Sequence, residues 1–442
     1  MKTVKQKLSS VFSIIRLSVF KLNIQNIGRS LRMMFFIFSI FIINYPAFCQ
    51  TGWITQVSGT SQDLYSVHFV TPEIGWTVGD GGVILKTTNS GTNWILQNSG
   101  VFYALLGVSF FSETTGYCCG DIGTILKTTD GGENWILLNT GITTTVSSIY
   151  SISADTVFAC GGEYVFSTRN GGQNWLIANI SNPGYYLSIN FNSNIGWMSD
   201  TEGLIKKSPN RGTSWITSYA MNFGQYNYIT SILFKSNSIG WACGYYLIGS
   251  LITGVILKTT SGGTNWENKV LGISSFLQSL SFINENTGWV SGRGIILKTT
   301  NGGENWIHQN PNTWQDLNSI NFVSENYGWA VGDNGIILKT QNGGVSIKNI
   351  TSIIPNNFSL SQNYPNPFNP STKIKFDLKN SGIVKIKVFD LTGKEVATLV
   401  NENLSTGSYE TEFDGSGLTS GVYFYRIETD KYSEVKKMTL LK

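Results

Sequence analysis

The chain has 442 residues, room for two or three domains, and combines only 13% charged residues with 48 glycines, 13 tryptophans, 19 tyrosines and 25 phenylalanines. That mixture suits many short strands joined by tight turns and excludes an ordinary helical enzyme. The formal charge of +4 falls to about −3 once the first 49 residues are set aside, since they hold seven Lys or Arg and no acid; no basic stripe is left to follow a phosphate backbone, which argues against nucleic acid as a partner.

Those first 49 residues read as a signal peptide. A basic stretch precedes the apolar run Met33 to Ile43, which is shorter than the roughly 20 residues a spanning helix needs, and Ala47-Phe48-Cys49 before Gln50 fits a small-x-small cleavage site. The mature chain is expected to begin at Gln50 with no transmembrane segment. A lipoprotein alternative would acylate Cys49, but the large Phe48 is unfavourable just before such a cysteine. Four cysteines remain, Cys118, Cys119, Cys160 and Cys243. Disulfides are the obvious reading in an exported protein, yet Cys119, Cys160 and Cys243 take the repeat position that Val78 and Val331 fill elsewhere, which favours small buried hydrophobes. No Cys/His spacing suits zinc.

From residue 64 onward the sequence repeats. The unit is clearest as Leu64-Tyr-Ser-Val-His-Phe-Val followed by Gly75-Trp-Thr-Val-Gly-Asp-Gly-Gly-Val-Ile-Leu-Lys-Thr-Thr-Asn-Ser-Gly-Thr-Asn-Trp94. Its last tryptophan recurs as Trp135, Trp175, Trp215, Trp266 and Trp306, at spacings of 41, 40, 40, 51 and 40 residues. An earlier aromatic recurs as Trp76, Tyr117, Phe158, Trp197, Trp241, Trp289 and Trp329, giving seven units. A period near 40 is that of a four-stranded propeller blade. Alternation predicts strand A over Ser66 to Val70, B over Trp76 to Val78, C over Val83 to Lys86 and D over Trp94 to Gln97. Between C and D stands an octapeptide such as Thr128-Thr-Asp-Gly-Gly-Glu-Asn-Trp135, an Asx-turn with a glycine for positive φ. The seventh unit lacks its final tryptophan strand after Gly344, while Trp53-Ile-Thr-Gln-Val-Ser-Gly59 copies Trp94-Ile-Leu-Gln-Asn-Ser-Gly100. The N-terminal strand is therefore expected to complete the last blade and close the ring.

The segment Trp289 to Trp306 and its copies resemble the seven-bladed propellers of the photosystem II stability/assembly factor family, and the octapeptide resembles the Asp-box of bacterial neuraminidase repeats. The resemblance covers residues 51 to 350. Those assembly factors bind a protein partner through an arginine-rich surface; here the propeller has only Arg169, Arg211 and Arg293, so the partner does not carry over.

After Asn357 the repeat stops, and four of the nine prolines lie between Pro355 and Pro370. Alternating strands are expected at Thr372 to Leu378, Val384 to Asp390, Glu395 to Val400, Ser408 to Phe413, Gly421 to Glu428 and Glu434 to Leu440, enough for a small β-sandwich. Asn363-Tyr-Pro-Asn-Pro-Phe368, Val388 to Val396, Ser420-Gly-Val-Tyr-Phe424 and Lys436-Lys-Met438 resemble the type A sorting domain of the type IX secretion system. The resemblance implies passage across an outer membrane, contact with the secretion machinery through residues 357–442, and removal of the domain with anchoring or release. An adhesive Ig-like module is the alternative. The organisation expected is thus an all-β chain: signal peptide 1–49, seven-bladed β-propeller 50–350, and an Ig-like sorting sandwich 351–442.

Chemistry is sparse. Of two histidines, His68 lies on a strand A and reads as a core or channel side chain, while His308 follows Trp306 on an outer strand; there is no nucleophile elbow, phosphate loop or metal-ligand spacing, and no cofactor is implied. A sialidase would need an arginine cluster in its pocket, but Arg169 and Arg211 fall inside octapeptide turns. The B–C and D–A loops share one side of the disc and supply the ligand-binding candidates. The first set gives Asp80, Asp121, Glu163, Asp200, Arg293 and Asp333; the second gives Phe102, Tyr103, Tyr185, Tyr186, Tyr226, Phe276 and Trp314. One blade inserts Tyr245 to Gly254, including Tyr246, where others have a tight turn. Acids ringed by aromatics suit a sugar or a basic peptide, although Asp-Gly is also ordinary turn chemistry. The reading is a secreted or cell-surface, non-catalytic binding or assembly module for a protein or glycan. A glycoside hydrolase drawing its acids from Asp80, Asp121, Glu163, Asp200 and Asp333, and a purely structural adhesion role, are the competing readings.

Overall fold

The computed structural model describes residues 49–442 except 51, 181–183, 270–272, 346, 352–353 and 416–417; the signal-peptide reading lies outside these residues. Among them, seven four-stranded antiparallel sheets make a β-propeller. In blade 1, Leu64–Phe69, Gly75–Gly79, Ile84–Thr87 and Ile95–Gln97 pair in sequence as strands A to D. The A strands of blades 2 to 7 are Leu105–Phe110, Ser148–Ser151, Tyr186–Asn192, Tyr226–Phe234, Leu277–Phe282 and Leu317–Phe322. Each packs beside the next, and the last packs beside Leu64–Phe69, so the ring is closed. The outer strand of blade 7 is Ile54–Gln56, with Ile54 opposite Lys339.

The repeat's aromatics explain why neighbouring blades hold together. Trp76 on strand B stacks 3.5 Å from Phe110 on the next strand A, and Trp329 stacks 3.5 Å from Phe69 across the closure. The strand D tryptophan then meets that phenylalanine edge-on: Trp94 lies 5.8 Å from Phe69, and Trp53 fills the same role 5.7 Å from Phe322. Gly75 is required beside this stack, because a Cβ there would fall 2.5 Å from the Phe69 ring. The indole of Trp76 also donates to the Gly131 carbonyl of the next octapeptide turn (3.0 Å), as Trp241 does to Gly302 (2.9 Å). Within such a turn Thr128 Oγ1 accepts from the Gly132 N–H at 2.8 Å and Asp130 Oδ1 from the Asn134 N–H at 3.0 Å. The octapeptide is thus an interblade clamp on the side of the disc away from the B–C loops.

A polar inner ring adds to this. Ser66 Oγ accepts from the Val108 N–H (3.2 Å), Asn190 Oδ1 from Phe234 (2.9 Å) and Asn321 Oδ1 from Phe69 (3.0 Å). His68 occupies the corresponding place in blade 1. It hydrogen-bonds the Phe110 backbone, and its enclosure by protein lowers its pKa to about 4. Cys118, Cys119, Cys160 and Cys243 are all free and buried, and burial pushes their thiols up in pKa.

The C-terminal sandwich packs Glu395–Leu404, Gly382–Phe389, Gly421–Glu428 and Ser433–Leu440 as one sheet. The facing sheet includes Ser371–Leu378 and Gly407–Asp414. The strand Ile347–Thr351 falls mostly within the span assigned to the propeller from sequence, yet it pairs with Gly407–Asp414, Ile347 opposite Thr411. The sandwich meets blades 6 and 7: Ile307 and Val345 pack on its core, and Asn401 Nδ2 donates to Glu325 Oε2 at 3.4 Å. Among the described residues no helix is long and apolar enough to cross a membrane.

Candidate functional site

Antiparallel A-B-C-D order puts the B–C turns and D–A loops on one side, and hydrogen bonds tie the two sets together. The Asp80 N–H donates to the Asp63 carbonyl (2.9 Å), Asp333 N–H to Asp316 (3.0 Å) and Arg293 N–H to Phe276 (3.1 Å). In three blades the turn is a single tight one, Asp80–Gly82, Asp121–Gly123 and Asp333–Gly335, with its middle residue at positive φ. Glycine precedes each of these turns because the crossing carbonyl leaves no room: a Cβ on Gly79 would lie 2.0 Å from the Asp63 carbonyl oxygen.

Asp63, Asp80 and Asp333 are tied together beside Tyr65 by these bonds and by Asn318 Nδ2, which donates to both the Leu64 carbonyl (3.1 Å) and Asp333 Oδ1 (3.0 Å). Tyr65 has its hydroxyl pKa raised by partial burial first, then by the charges of Asp80, Asp63, Asp333 and Asp121. Asp63 Oδ1 accepts from the Asn334 N–H (2.7 Å), Asp333 Oδ1 from Asn318 Nδ2 (3.0 Å) and Asp121 Oδ1 from Thr145 Oγ1 (2.9 Å). Burial raises the Asp333 pKa, partly offset by Asn318.

In blades 5 and 6 the chain builds an aromatic arc. Tyr228 and Tyr245, cross-strand partners in blade 5, stack at 4.8 Å; Tyr245 meets Phe276 edge-on at 4.7 Å; and the Arg293 guanidinium sits 4.9 Å over Phe276. Arg293 in turn bonds both carboxylate oxygens of Asp316, at 2.5 and 3.0 Å. On the loop that leads into Asp316, Trp314 stands 92% exposed, and that loop is fixed by the Gly294 N–H donating to the Gln315 carbonyl (3.0 Å) and the Gln315 N–H to Thr313 Oγ1 (3.1 Å). Phe102 at 90% exposed, Tyr103 and Tyr185 continue the exposed rim on other loops, and Glu163 is exposed.

The Tyr245 to Gly254 insertion is a hairpin extension. Gly240–Ile248 and Leu251–Thr259 pair to the tip, Ile248 opposite Leu251, with Gly249 at positive φ, and Tyr226–Phe234 lengthens to match. Tyr246 is half-buried against Phe223 at 5.7 Å, while Ile248 and Leu251 are exposed.

Two expected site residues are not on this face. Asp200 and Tyr186 are 0% and 1% exposed and lie in the seam between blades 3 and 4. The reason is position: Asp200 comes four residues after Gly196, whereas Asp80 comes five after Gly75, so Asp200 falls at the glycine position and not in the turn. Its Oδ1 accepts from the Glu202 and Leu204 N–H groups (2.9 and 2.8 Å), and burial raises its pKa. Lys206, which replaces the Leu85 of blade 1, is buried nearby and donates to Thr217 Oγ1 at 3.3 Å; burial lowers its pKa. Tyr65, Asp63, Tyr228 and Asp316 were not singled out from sequence, and Tyr245 only as the start of the insertion. Tyr65 is the bulged residue between Leu64 and Ser66, which a strict two-residue alternation hides.

Of the remaining polar candidates, Arg169 donates to the Arg211 carbonyl (3.1 Å) and Arg211 to Asn194 Oδ1, both on the octapeptide side. His308 is desolvated and feels Asp414 of the sandwich. Among the described residues no three His, Cys, Asp or Glu side chains converge for a metal.

Residues 362–440 match the family model of the secretion system C-terminal sorting domain, and residues 46–183 that of the photosynthesis system II assembly factor YCF48. No curated protein matches the chain significantly. Among solved structures, YCF48 bound to D1 peptide is similar at 19% identity with a TM-score of 0.54, covering 67% of this chain and 98% of that one. YCF48 from Cyanidioschyzon merolae gives 17% identity and 0.54, covering 66% and 98%. PorZ, a bacterial surface component of the type-IX secretion system of Porphyromonas gingivalis, gives 14% and 0.51, covering 86% and 60%. The chain is therefore a propeller whose first blades resemble the assembly factor, followed by a segment that matches the secretion sorting domain, which directs it to the cell surface or beyond.

Proposed function

We propose that the chain is a non-catalytic binding or assembly propeller, displayed outside the cell, that takes a protein or glycan on the face built by its B–C turns and D–A loops. The observation that carries this reading is Trp314: a large apolar side chain, 92% exposed, on a loop braced by hydrogen bonds on both sides. Exposed aromatics on rigid loops are the usual anchors of interaction surfaces. The sandwich packs beside blades 6 and 7, and Trp314 stays exposed with it in place. A similar fold holds a peptide in the YCF48 complex, which supports a peptide-sized ligand here. On this reading the sandwich engages the secretion machinery and is then removed, leaving the propeller anchored or released. The test is binding of the secreted chain to an array of surface proteins and glycans, beside its Trp314→Ala variant and with hydrolysis followed on the same glycans. Saturable binding that the variant loses supports the reading. Glycan turnover, or an array with no ligand, rejects it.

A further inference from the structure

The loops of this face carry Asp63, Asp80, Asp121, Asp316 and Asp333 but few cations. Arg293 is neutralised by Asp316, and the Lys269 ammonium is turned to Glu267 and Glu304 at 2.7 and 3.0 Å. The acids are also unevenly placed. Asp63, Asp80 and Asp333, from blades 7 and 1, are linked through hydrogen bonds beside Tyr65, with Asp121 on the next blade, whereas blades 5 to 7 present the aromatic arc that ends at Trp314.

We infer that the partner on this face is an extended basic peptide segment, with cationic side chains over Tyr65 and its carboxylates and a large apolar side chain against Trp314. This rests on the binding reading above and deepens it. Three observations favour that occupant. The Asp80 carboxylate has no hydrogen-bond partner among the described residues, and Asp63, Asp121 and Asp333 each use one oxygen only, so acceptors stand ready for N–H donors. The acids do not converge tightly enough to hold a metal ion; their spread over three blades suits several separate cations on one chain. Tyr65, half-buried, adds an aromatic ring beside these carboxylates, of the kind a guanidinium or ammonium group favours. An acidic partner would face uncompensated repulsion, since Arg293 is already bonded to Asp316. A neutral glycan could donate hydroxyls to the carboxylates beside Tyr65 but would leave their charge unbalanced.

The inference is tested with the full secreted chain and a fluorescein-labelled decapeptide of alternating Lys and Phe, its Glu/Phe counterpart, and chitohexaose. The Lys/Phe peptide is expected to bind saturably, at least about tenfold more tightly than the Glu/Phe peptide, and to weaken several-fold between 0.05 and 0.3 M salt as screening predicts, about tenfold being typical where several charges are involved. Asp63→Asn/Asp80→Asn/Asp333→Asn and Trp314→Ala should each weaken it about tenfold or more. Glu73→Gln/Glu113→Gln, on the opposite side, should leave it unchanged, which separates recognition from general attraction to an acidic protein. Unchanged thermal unfolding of each variant confirms that it is folded. Equal binding of both peptides, or loss in the Glu73/Glu113 variant, overturns the inference. Preference for chitohexaose or the Glu/Phe peptide, abolished by Trp314→Ala, also overturns it while leaving the binding reading intact. If neither these probes nor the surface array yields a ligand, both fall.

Discussion

The Asp200 carboxylate lies directly against Gly184, where an ideal Cβ would come within 2.4 Å of its Oδ2. That oxygen has no hydrogen-bond partner among the described residues, and the residue stands where six other blades have glycine. Blade 4 keeps an ionisable group where the rest of the ring has glycine. Gly184→Ala is therefore expected to destabilise the propeller by about 1–3 kcal/mol, the usual range for overpacking, read as a lower denaturant midpoint; an unchanged midpoint would mean that the seam has slack.

The same burial gives a pH signature. The Asp200 carboxyl is raised above its ordinary pKa of 3.8 chiefly by desolvation, so the folded state holds a proton that the unfolded state has released. Stability from this group is full below pH 3.8 and is lost as pH rises through the folded pKa. Asp200→Asn removes the dependence. Its thermal midpoint relative to the natural protein should climb across that window and then level off, and a flat difference from pH 3 to 8 would show that Asp200 is solvated.

His68 behaves in the opposite sense. Its pKa is lowered from 6.5 to about 4 by enclosure, so stability present above pH 6.5 is lost as pH falls through about 4. Blades 4 and 7 use Asn190 and Asn321 at the same place in the inner ring. His68→Asn should keep neutral-pH stability and flatten the loss between pH 6.5 and 4, as followed by thermal unfolding at a series of pH values. An acid limb as steep as before would assign that loss to other groups.

Closure by the N-terminal strand makes Trp53 as important as any internal tryptophan. It is 2% exposed, meets Phe322 edge-on, and its indole donates to Gln309 Oε1 at 3.3 Å. Trp53→Ala should cost about 3–5 kcal/mol, typical for truncating a buried aromatic, and Trp94→Ala should cost a similar amount because Trp94 plays the same part against Phe69. A negligible effect at Trp53 alone would mean that blade 7 does not depend on its outer strand.

Much of this architecture can be read from residue spacing. The octapeptides, the seven B-strand aromatics and the copy of strand D at Trp53 to Gly59 define the blades, because each blade must repeat the same stack and clamp to meet its neighbours. The sandwich strands were legible from alternation, apart from Ile347–Thr351, whose pairing with Gly407–Asp414 depends on a partner some sixty residues away. The site was legible only in part. Asp80, Asp121, Arg293 and Asp333 follow from turn position, and the misplacement of Asp200 could have been caught by counting from Gly196. Phe276 and the insertion opening at Tyr245 were legible as loop features, but Tyr65 and the packing of Tyr228, Tyr245 and Phe276 on one another were not, since a bulge and side-chain stacking leave no mark in a single repeat.

The most direct test of the binding face is hydrogen exchange of the full secreted chain, alone and saturated with its tightest ligand from the surface array. Protection confined to the B–C turns and D–A loops, above all residues 80–83, 121–124, 245–254 and 310–316, is the predicted result. Protection on the A–B turns and octapeptides instead, with those loops unchanged, would contradict it.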